Sequence, residues 1–202
     1  MPTLFTPSDP AEIARIITLP EANFETRYIT DHKKLKELRD YLGKIGKSVV
    51  LTQGVYDLIH EGHALYLEKA RSYGDLLIVG MDSDAVTRMR KGPTRPVVPE
   101  LERARMLSHL RCVDLIYLKK PDQDIDFVIE LLRPDVCVMS ESTSDFTTKK
   151  QKLYKKFCKK LVILPAQATT STSARIRNLT IEGAQKLSEE INKVVNAFLG
   201  HE

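Results

Sequence analysis

Five short apolar segments, alternating with helical patterns, constrain the fold of this chain more than any other feature of its sequence. They lie at residues 49–52, 76–81, 113–118, 136–139 and 161–164. Each is largely apolar at successive positions, which is typical of strands that are buried on both faces of a parallel sheet. Parallel strands joined by helices predict an α/β fold, with a doubly wound parallel sheet of about five strands and flanking helices.

The segments between these strands have the periodicity of amphipathic helices. Helices are predicted at 31–44, 62–73, 82–90, 100–110, 125–132, 149–160 and 173–199, with Gly183 as a point where the last could break. Residues 1–30 contain four prolines and no clean period, so we expect an N-terminal extension there. The predicted organisation is this extension, a Rossmann-like domain at 31–180 and a C-terminal helix at 181–202.

The composition is that of an ordinary globular protein, with 42% hydrophobic and 29% charged residues. No apolar run approaches the roughly 18 residues that span a membrane, and the first residues lack the pattern of a signal peptide. Cys112, Cys137 and Cys158 are scattered and odd in number, which argues against a disulfide framework or a zinc site. We therefore expect a cytoplasmic protein without a membrane partner.

The stretch KKQKLYKKFCKK at 149–160 is strongly basic, although the formal net charge of the chain is only +4. Its apolar positions fall at helical spacing, so an amphipathic helix with a solvated lysine face is the simplest interpretation. Attraction of an anionic substrate is an alternative. Nucleic-acid binding is a weaker one, because no zinc finger and no RNP-like aromatic pattern is present. We expect no nucleic-acid partner.

Two histidines, His60 and His63, follow the first core strand in the sequence TQGVYDLIHEGHALYLEKA at 52–70. In doubly wound sheets ligands bind beyond the carboxyl ends of the strands, so a site is expected here. On the first turn of a helix the two imidazoles share a face, near free backbone N–H groups that suit a phosphate. Gly54 and Gly62 would let a nucleotide approach the backbone closely. The alternatives are histidines with a capping or surface role, and a metal pair that lacks a third ligand.

Several further motifs accompany the histidines along the chain. They are G-x-Y-D-x-x-H-x-G-H at 54–63, G-D-L-L-I-V-G-x-x-S-D at 74–84, R-K-G-x-x-R-P-V-x-P at 90–99, E-R at 102–103, V-D at 113–114 and T-S-T-S-x-R-I-R at 170–177. Together they resemble the cytidylyltransferase-like branch of the nucleotidyltransferase superfamily, whose H-x-G-H signature lies on a Rossmann-like domain. The resemblance covers residues 34–179. Its K-G-x-x-R-P-V-x-P segment is most similar to sugar-phosphate adenylyltransferases of the ADP-heptose synthase type.

The resemblance implies an enzyme that transfers an NMP group from ATP or CTP to a small phosphorylated acceptor and releases pyrophosphate. A sugar-phosphate adenylyltransferase is the leading expectation, and a glycerol-3-phosphate cytidylyltransferase-like or FAD synthetase-like enzyme is the alternative. His60, His63 and Lys91 are the implied catalytic residues, which hold the phosphates as charge develops. Lys91 could instead be a solvated loop lysine. Mg²⁺ is expected to arrive with the nucleotide, without metal ligands from the protein.

The resemblance also implies which residues bind the nucleotide and the acceptor. The nucleotide-binding residues would be Gly54, Tyr56, Gly62, Asp84, Ser171, Thr172, Ser173 and Arg177. The substrate-binding residues would be Asp57, Arg95 and Arg103, with a structural ion pair as the alternative for Arg103. Asp57 and Asp84 could instead orient the backbone or a ribose. Relatives in the family are often dimers, so a homodimer is among the expected states.

The sequence departs from the family pattern after the fourth core strand. There the glycine-rich segment of the family is replaced by MSESTSD at 139–145, which removes close backbone approach and adds the carboxylate of Glu141. Gln53 replaces the family's asparagine, and Tyr56 replaces its phenylalanine. These differences leave open a catalytically inactive, nucleotide-binding regulatory protein. A class I aminoacyl-tRNA synthetase fragment shares the histidine signature, but no tRNA-binding domain accompanies it here.

Overall fold

The computed structural model describes residues 24–123, 126–141, 147–167 and 172–199, apart from the side chains of Ser173 and of residues 196–199. The chain divides into two compact units, Met1–Gln167 and Ala168–Glu202. The described elements of the first unit are α1 (Phe24–Arg27), β1 (Tyr28–Ile29), α2 (His32–Lys44), β2 (Val49–Gly54), α3 (Glu61–Arg71), β3 (Leu76–Asp82), α4 (Asp84–Lys91), α5 (Glu100–Ser108), β4 (Leu115–Lys119), α6 (Phe127–Leu132), β5 (Val136–Ser140), α7 (Thr148–Phe157) and β6 (Lys160–Leu164). In the second unit the described element is α8 (Thr172–Leu199).

The strands of the described part form one parallel sheet in the order β1-β4-β3-β2-β5-β6. From β2 the chain moves outward to β3 and β4 on one side, and it then returns to add β5 and β6 on the other. The register places Val50 of β2 beside Leu77 and beside Val136. The strand order therefore reverses between β2 and β5, where a doubly wound sheet opens its ligand-binding crevice. This confirms the predicted Rossmann-like, doubly wound α/β fold.

The sheet has one strand more than the five predicted, because β1 pairs in parallel with β4 at the edge. The two residues of β1, Tyr28 and Ile29, are too few to show a periodicity in the sequence. They lie in the stretch that was expected to form an extension. The domain boundaries at 1–30, 31–180 and 181–202 stay a prediction.

The inner strands are buried on both faces, as their continuous apolar sequences predicted. All seven residues of β3 and all five of β4 are buried. On one face Leu35 of α2 packs in the same cluster as Leu51, and on the other Leu67 of α3 packs with Leu77. Burial of one such side chain contributes about 1.5–3 kcal/mol, so these two clusters hold the sheet between its helical layers.

Aspartates at the amino ends of the strands help to fix the register of the sheet. Asp114, just before β4, accepts a hydrogen bond from the backbone N–H of Leu77 at 2.7 Å. Asp135, just before β5, accepts one from the backbone N–H of Val49 at 2.9 Å. A slip of one residue would break these bonds and reverse the faces of the strand. The carboxyl ends of the strands are therefore held along a common edge.

In the second unit, α8 is a helix of 28 residues. It continues through Gly183, where the sequence allowed a break. A glycine costs a helix about 1 kcal/mol relative to alanine, which is small against the cooperative stability of a helix of this length. No helix among the described residues is both long and apolar enough to cross a membrane.

Candidate active site at the carboxyl edge of the sheet

The loop between β2 and α3 is strained, and it lies at the carboxyl end of the central strand. Tyr56 and Leu58 have φ angles of 55° and 45°, a left-handed conformation that non-glycine residues rarely adopt. Such strain costs about 1–3 kcal/mol per residue and clusters at functional sites. The buried ring of Tyr56 packs on Gly54, where an added β-carbon would stand 3.0 Å from it. The packing of Tyr56 therefore leaves little room for a side chain at position 54.

His60 caps the amino end of α3. Its Nδ1 accepts a hydrogen bond from the backbone N–H of Gly62 at 3.1 Å. Because Nδ1 is the acceptor, the neutral ring carries its proton on Nε2. The start of the helix also presents backbone N–H groups that attract anions. His60 thus combines a side-chain donor with the anion-binding end of α3.

His63 lies in the first turn of α3, with its ring centroid 4.1 Å from that of His60. Its Nδ1 is buried and has no hydrogen-bond partner within the described parts of the chain. Burial, followed by the charges of His60 and Lys91, lowers the pKa of His63 to about 4, although Asp57 opposes the shift. His63 is therefore neutral at pH 7. A buried polar atom without a partner is uncommon in folded proteins, and it suits a site that binds a ligand.

Asp57 connects the loop before α3 to the loop after α4. It is 2% exposed, and it accepts hydrogen bonds from Nε of Arg95 at 2.9 Å and from the backbone N–H groups of Val97 and Val98, both at 3.0 Å. Burial acts to raise the pKa of Asp57, but these hydrogen bonds and the Arg95 charge hold it below its ordinary value. Asp57 is thus ionised and orients the backbone of the second loop. The substrate-binding roles of Asp57 and Arg95 stay predictions.

Lys91, the last residue of α4, is within electrostatic reach of the histidines. Its charge contributes to the lowered pKa of His63. Lys91 is exposed as a residue, and partial burial of its ammonium, together with the charges of Arg95 and Arg90, lowers its pKa. This exposure is also what the alternative of a solvated lysine requires. The structure thus brings the three residues predicted to be catalytic, His60, His63 and Lys91, to one edge of the sheet. Their catalytic roles stay predictions.

Arg103 is enclosed by protein. It is 1% exposed, and its guanidinium pairs with Asp84 at 2.7 Å. It also donates to the backbone oxygens of Val55, of Val98 at 2.9 Å and of Asp82 at 3.0 Å. These contacts favour the structural ion pair that was the alternative for Arg103. Its substrate-binding role, and the nucleotide-binding role of Asp84, stay predictions.

The remaining predicted nucleotide-binding residues belong to the second unit. Thr172 and Arg177 lie in the first turns of α8. Ser171 and the side chain of Ser173 lie outside the described residues, as does most of the altered segment at 139–145. The roles of all four residues stay predictions.

A buried ionic network at the carboxyl ends of β3 and β4 was not predicted from the sequence. Asp82 ends β3 and pairs with Lys119, the last residue of β4, at 2.7 Å. Asp82 also pairs with Arg90, and Lys119 donates a hydrogen bond to Gln53 at 3.2 Å. The signal that could have found this network is a charged residue at the end of each of two otherwise apolar strands.

Among the residues that the structure describes, no group of three or more His, Cys, Asp or Glu side chains could hold a metal ion. Asp57 and Asp82, which are buried carboxylates at this edge, are paired with cationic side chains.

A doubly wound parallel sheet with a crevice beyond the carboxyl ends of its strands is an arrangement that many nucleotide-binding α/β proteins share. A family model described as Cytidylyltransferase-like matches residues 51–178, which is more than half of the chain. The chain therefore belongs to the cytidylyltransferase-like family. The matched span includes both histidines and Lys91.

Similar proteins share the name "Bifunctional protein HldE". The protein from Geobacter metallireducens is 33% identical over 171 residues, which cover 82% of this chain and 32% of the relative. The one from Syntrophotalea carbinolica is 42% identical over 120 residues, which cover 58% of this chain and 24% of the relative. The chain thus spans about a quarter to a third of the length of these relatives.

Two solved structures have a similar fold. The lipopolysaccharide core biosynthesis protein from Thermoplasma volcanium is 28% identical with a TM-score of 0.52, and the match covers 59% of this chain and 97% of that one. Pantoate-beta-alanine ligase from Francisella tularensis, solved with beta-gamma ATP and beta-alanine, has a TM-score of 0.56 and covers 81% of this chain and 78% of its own. At 18% identity, the second likeness shows the fold alone.

Proposed function

We propose that this chain is a nucleotidyltransferase, which moves an NMP group from ATP or CTP to a small phosphorylated acceptor and releases pyrophosphate. A sugar-phosphate adenylyltransferase is the leading form of the proposal, supported by the K-G-x-x-R-P-V-x-P segment and by the HldE relatives. The observation that carries it is the pair of His60 and His63 at the start of α3, beside the carboxyl end of the central strand.

The reaction is an in-line attack of an acceptor phosphate oxygen on the α-phosphorus of the nucleotide. A new phosphorus–oxygen bond forms, the bond to the bridging oxygen breaks, and its electron pair leaves with pyrophosphate. The acceptor phosphate is already ionised near pH 7, so no strong general base is required. Catalysis then comes from positioning and from donors that stabilise the charge on the phosphates.

The two histidines supply such donors in their neutral form. The ring of His60 carries its proton on Nε2, and His63, with a pKa of about 4, is uncharged at pH 7. A triphosphate beside His63 would raise this pKa, so the contact would strengthen as negative charge develops on the leaving group. Lys91 adds a positive charge. Mg²⁺ enters as part of the nucleotide substrate and is held by its phosphate oxygens.

The test is pyrophosphate release by the purified chain with ATP or CTP, Mg²⁺ and a panel of acceptors. The panel contains sugar 1-phosphates, glycerol 3-phosphate and FMN, so that the active pair of substrates identifies the form of the enzyme. We expect His63→Ala to lower turnover by about 10²–10³, as loss of a single oxyanion donor does. Asp40→Ala, at an exposed position of α2, is the control and should change nothing. Absence of pyrophosphate with every acceptor would overturn the proposal.

A second candidate is a nucleotide-binding protein without transferase activity, and one observation favours it. Arg95 and Arg103, both expected to hold the acceptor, are engaged with the carboxylates of Asp57 and Asp84. This candidate requires nucleotide binding without pyrophosphate release. A cytoplasmic location, a homodimer and the lack of a nucleic-acid partner belong to the proposal in either form.

A further inference from the structure

Asp82 and Lys119 form an ion pair inside the first unit, at the carboxyl ends of β3 and β4. Asp82 has no exposed surface and Lys119 is 4% exposed. Oδ1 of Asp82 lies 2.7 Å from Nζ of Lys119, close enough for an ion pair but without the angles of a hydrogen bond. Burial lowers the pKa of Lys119 and outweighs the opposing effect of Asp82. The two charges are therefore held in an environment that strongly disfavours an isolated ion.

A gain in folding stability does not explain why the Asp82–Lys119 ion pair is buried. The desolvation of two buried ions offsets their mutual attraction, and two apolar side chains of similar volume would fill the space at least as well. The pair lies at the edge of the sheet where doubly wound proteins bind ligands, and perturbed buried charges cluster at functional sites. Its position points to a role in the geometry of the site.

Asp82 also binds Arg90, in the last turn of α4. The next residue is Lys91, with which α4 ends. Beyond it, the loop is held by a second carboxylate–arginine pair, Asp57 and Arg95, at 2.8 Å. Lys91 therefore lies between two arginines whose guanidinium groups are both anchored on buried carboxylates.

Lys119 connects the first of these anchors to the central strand. Its ammonium donates to Oε1 of Gln53 at 3.2 Å as well as pairing with Asp82. Nε2 of Gln53 donates to the hydroxyl of Tyr154 at 2.9 Å. The side chain of Gln53 also packs on Gly80, where an added β-carbon would stand 3.1 Å from it. The position of the ammonium that compensates Asp82 is thus set from the ends of both β2 and β4.

We propose that Asp82 and Lys119 are positioning residues for Lys91. Asp82 anchors Arg90 and so fixes the last turn of α4, while Lys119 compensates the charge of the buried carboxylate. Among the described residues the side chain of Lys91 makes no hydrogen bond or ion pair, so the position of its exposed ammonium depends on this anchor. The inference rests on the proposed function, since it requires that Lys91 acts on the phosphates.

The first test is a double-mutant cycle that is measured by pyrophosphate release. The paired substitution Asp82→Asn with Lys119→Met removes both charges, so no uncompensated ion of the pair remains and the chain should fold. We expect kcat to fall about 10–100-fold, while KM for the nucleotide changes less than about threefold. In a Lys91→Ala background the same paired substitution should lower kcat by less than a further factor of about two, because the ammonium that it positions is absent. If the fold-losses in kcat of the paired substitution and of Lys91→Ala multiply in the combined variant, the two act independently and the inference is overturned.

A second measurement does not depend on activity. Amide hydrogen exchange over residues 88–92 should become at least about tenfold faster in the paired variant, while exchange over α5 stays unchanged. Unchanged exchange over 88–92 would overturn the anchoring step. If the wild-type chain releases no pyrophosphate with any acceptor, the proposed function fails, and the exchange result alone decides whether the anchor exists.

Lys36 and Asp40 on α2 provide a matched control, because they form an ion pair between exposed side chains. The paired substitution Asp40→Asn with Lys36→Met removes the same two charges from the surface. We expect neither kcat nor exchange over 88–92 to change. A loss of kcat as large as that of the buried pair would overturn the assignment of a specific positioning role.

Discussion

His63 illustrates how burial sets the chemistry of a single side chain at this site. Its Nδ1 is buried without a partner in the described structure, and its pKa falls to about 4. A neutral imidazole can donate a hydrogen bond to a phosphate and adds no positive charge beside Lys91. As a consequence, His63 is harder to protonate in the folded chain than in the unfolded chain.

The lowered pKa of His63 predicts a loss of folding stability in a defined acid range. The ring titrates near 6.5 in the unfolded chain and at about 4 in the folded chain, so the unfolded state binds more protons between these values. Stability should therefore fall as the pH decreases from about 6.5 to about 4, and at pH 5 the loss from this residue is on the order of 2 kcal/mol. Urea unfolding at pH 7 and pH 5 should show a smaller loss for His63→Gln than for the wild type. Equal losses would contradict the neutral state of the half-buried His63 ring.

A second prediction at this scale concerns Arg103. Arg103→Met leaves Asp84 and three backbone oxygens without their buried donor, so it should destabilise the fold by about 3 kcal/mol or more. Urea unfolding measures this, with Arg88→Met at an exposed position of α4 as the control. A variant of normal stability with a raised KM for the acceptor would instead support the substrate-binding role.

At the scale of strands and helices, the sequence was informative wherever a strand is long and buried. β2, β3 and β5 were predicted because burial on both faces requires a continuous apolar run. β4 starts two residues later than predicted, because Asp114 is used to bind the backbone of Leu77. β1 could not be predicted, because its two residues are too few to show a hydrophobic periodicity.

The candidate site was predictable to a similar extent. His60, His63 and Lys91 were found because short motifs mark the junctions of strands and helices. The pairing of Arg95 with Asp57, 38 residues apart, and the contact of Lys119 with Gln53, 66 residues apart, were not found. They depend on which strand ends lie side by side, and the strand order becomes known only from the fold.

The aspartates at the amino ends of the strands give a prediction at this scale. Asp135→Ala would leave the buried backbone N–H of Val49 without its acceptor and remove the carboxylate that pairs with Arg39, so it should cost about 1–3 kcal/mol. The midpoint of urea unfolding measures the loss. Asp40→Ala, which removes an exposed carboxylate on α2, should cost less than about 0.5 kcal/mol. Equal effects of the two substitutions would show that Asp135 does not fix the register.

At the scale of the whole molecule, the strand order decides where the chemistry can occur. Because β2 lies between β3 and β5, the helices that follow β2 and β5 leave the sheet from the same edge. The strained loop, the two histidines and the Asp82–Lys119 pair all lie at this edge. The basic helix α7 presents Tyr154 to the core and exposes Lys152, Lys155 and Lys156, which supports its interpretation as an amphipathic helix.

The most direct test of the central claim, that His60 and His63 hold the phosphates of a nucleotide, is thermal stabilisation by ATP and by CTP in the presence of Mg²⁺. The wild-type chain and His63→Ala would be compared, each with and without nucleotide. At a concentration of about 100 times Kd, one of the two nucleotides should stabilise the wild type by about 2.7 kcal/mol. His63→Ala should keep a folded transition but lose most of this shift. An equal shift in both proteins, or no shift in the wild type with either nucleotide, would contradict the claim.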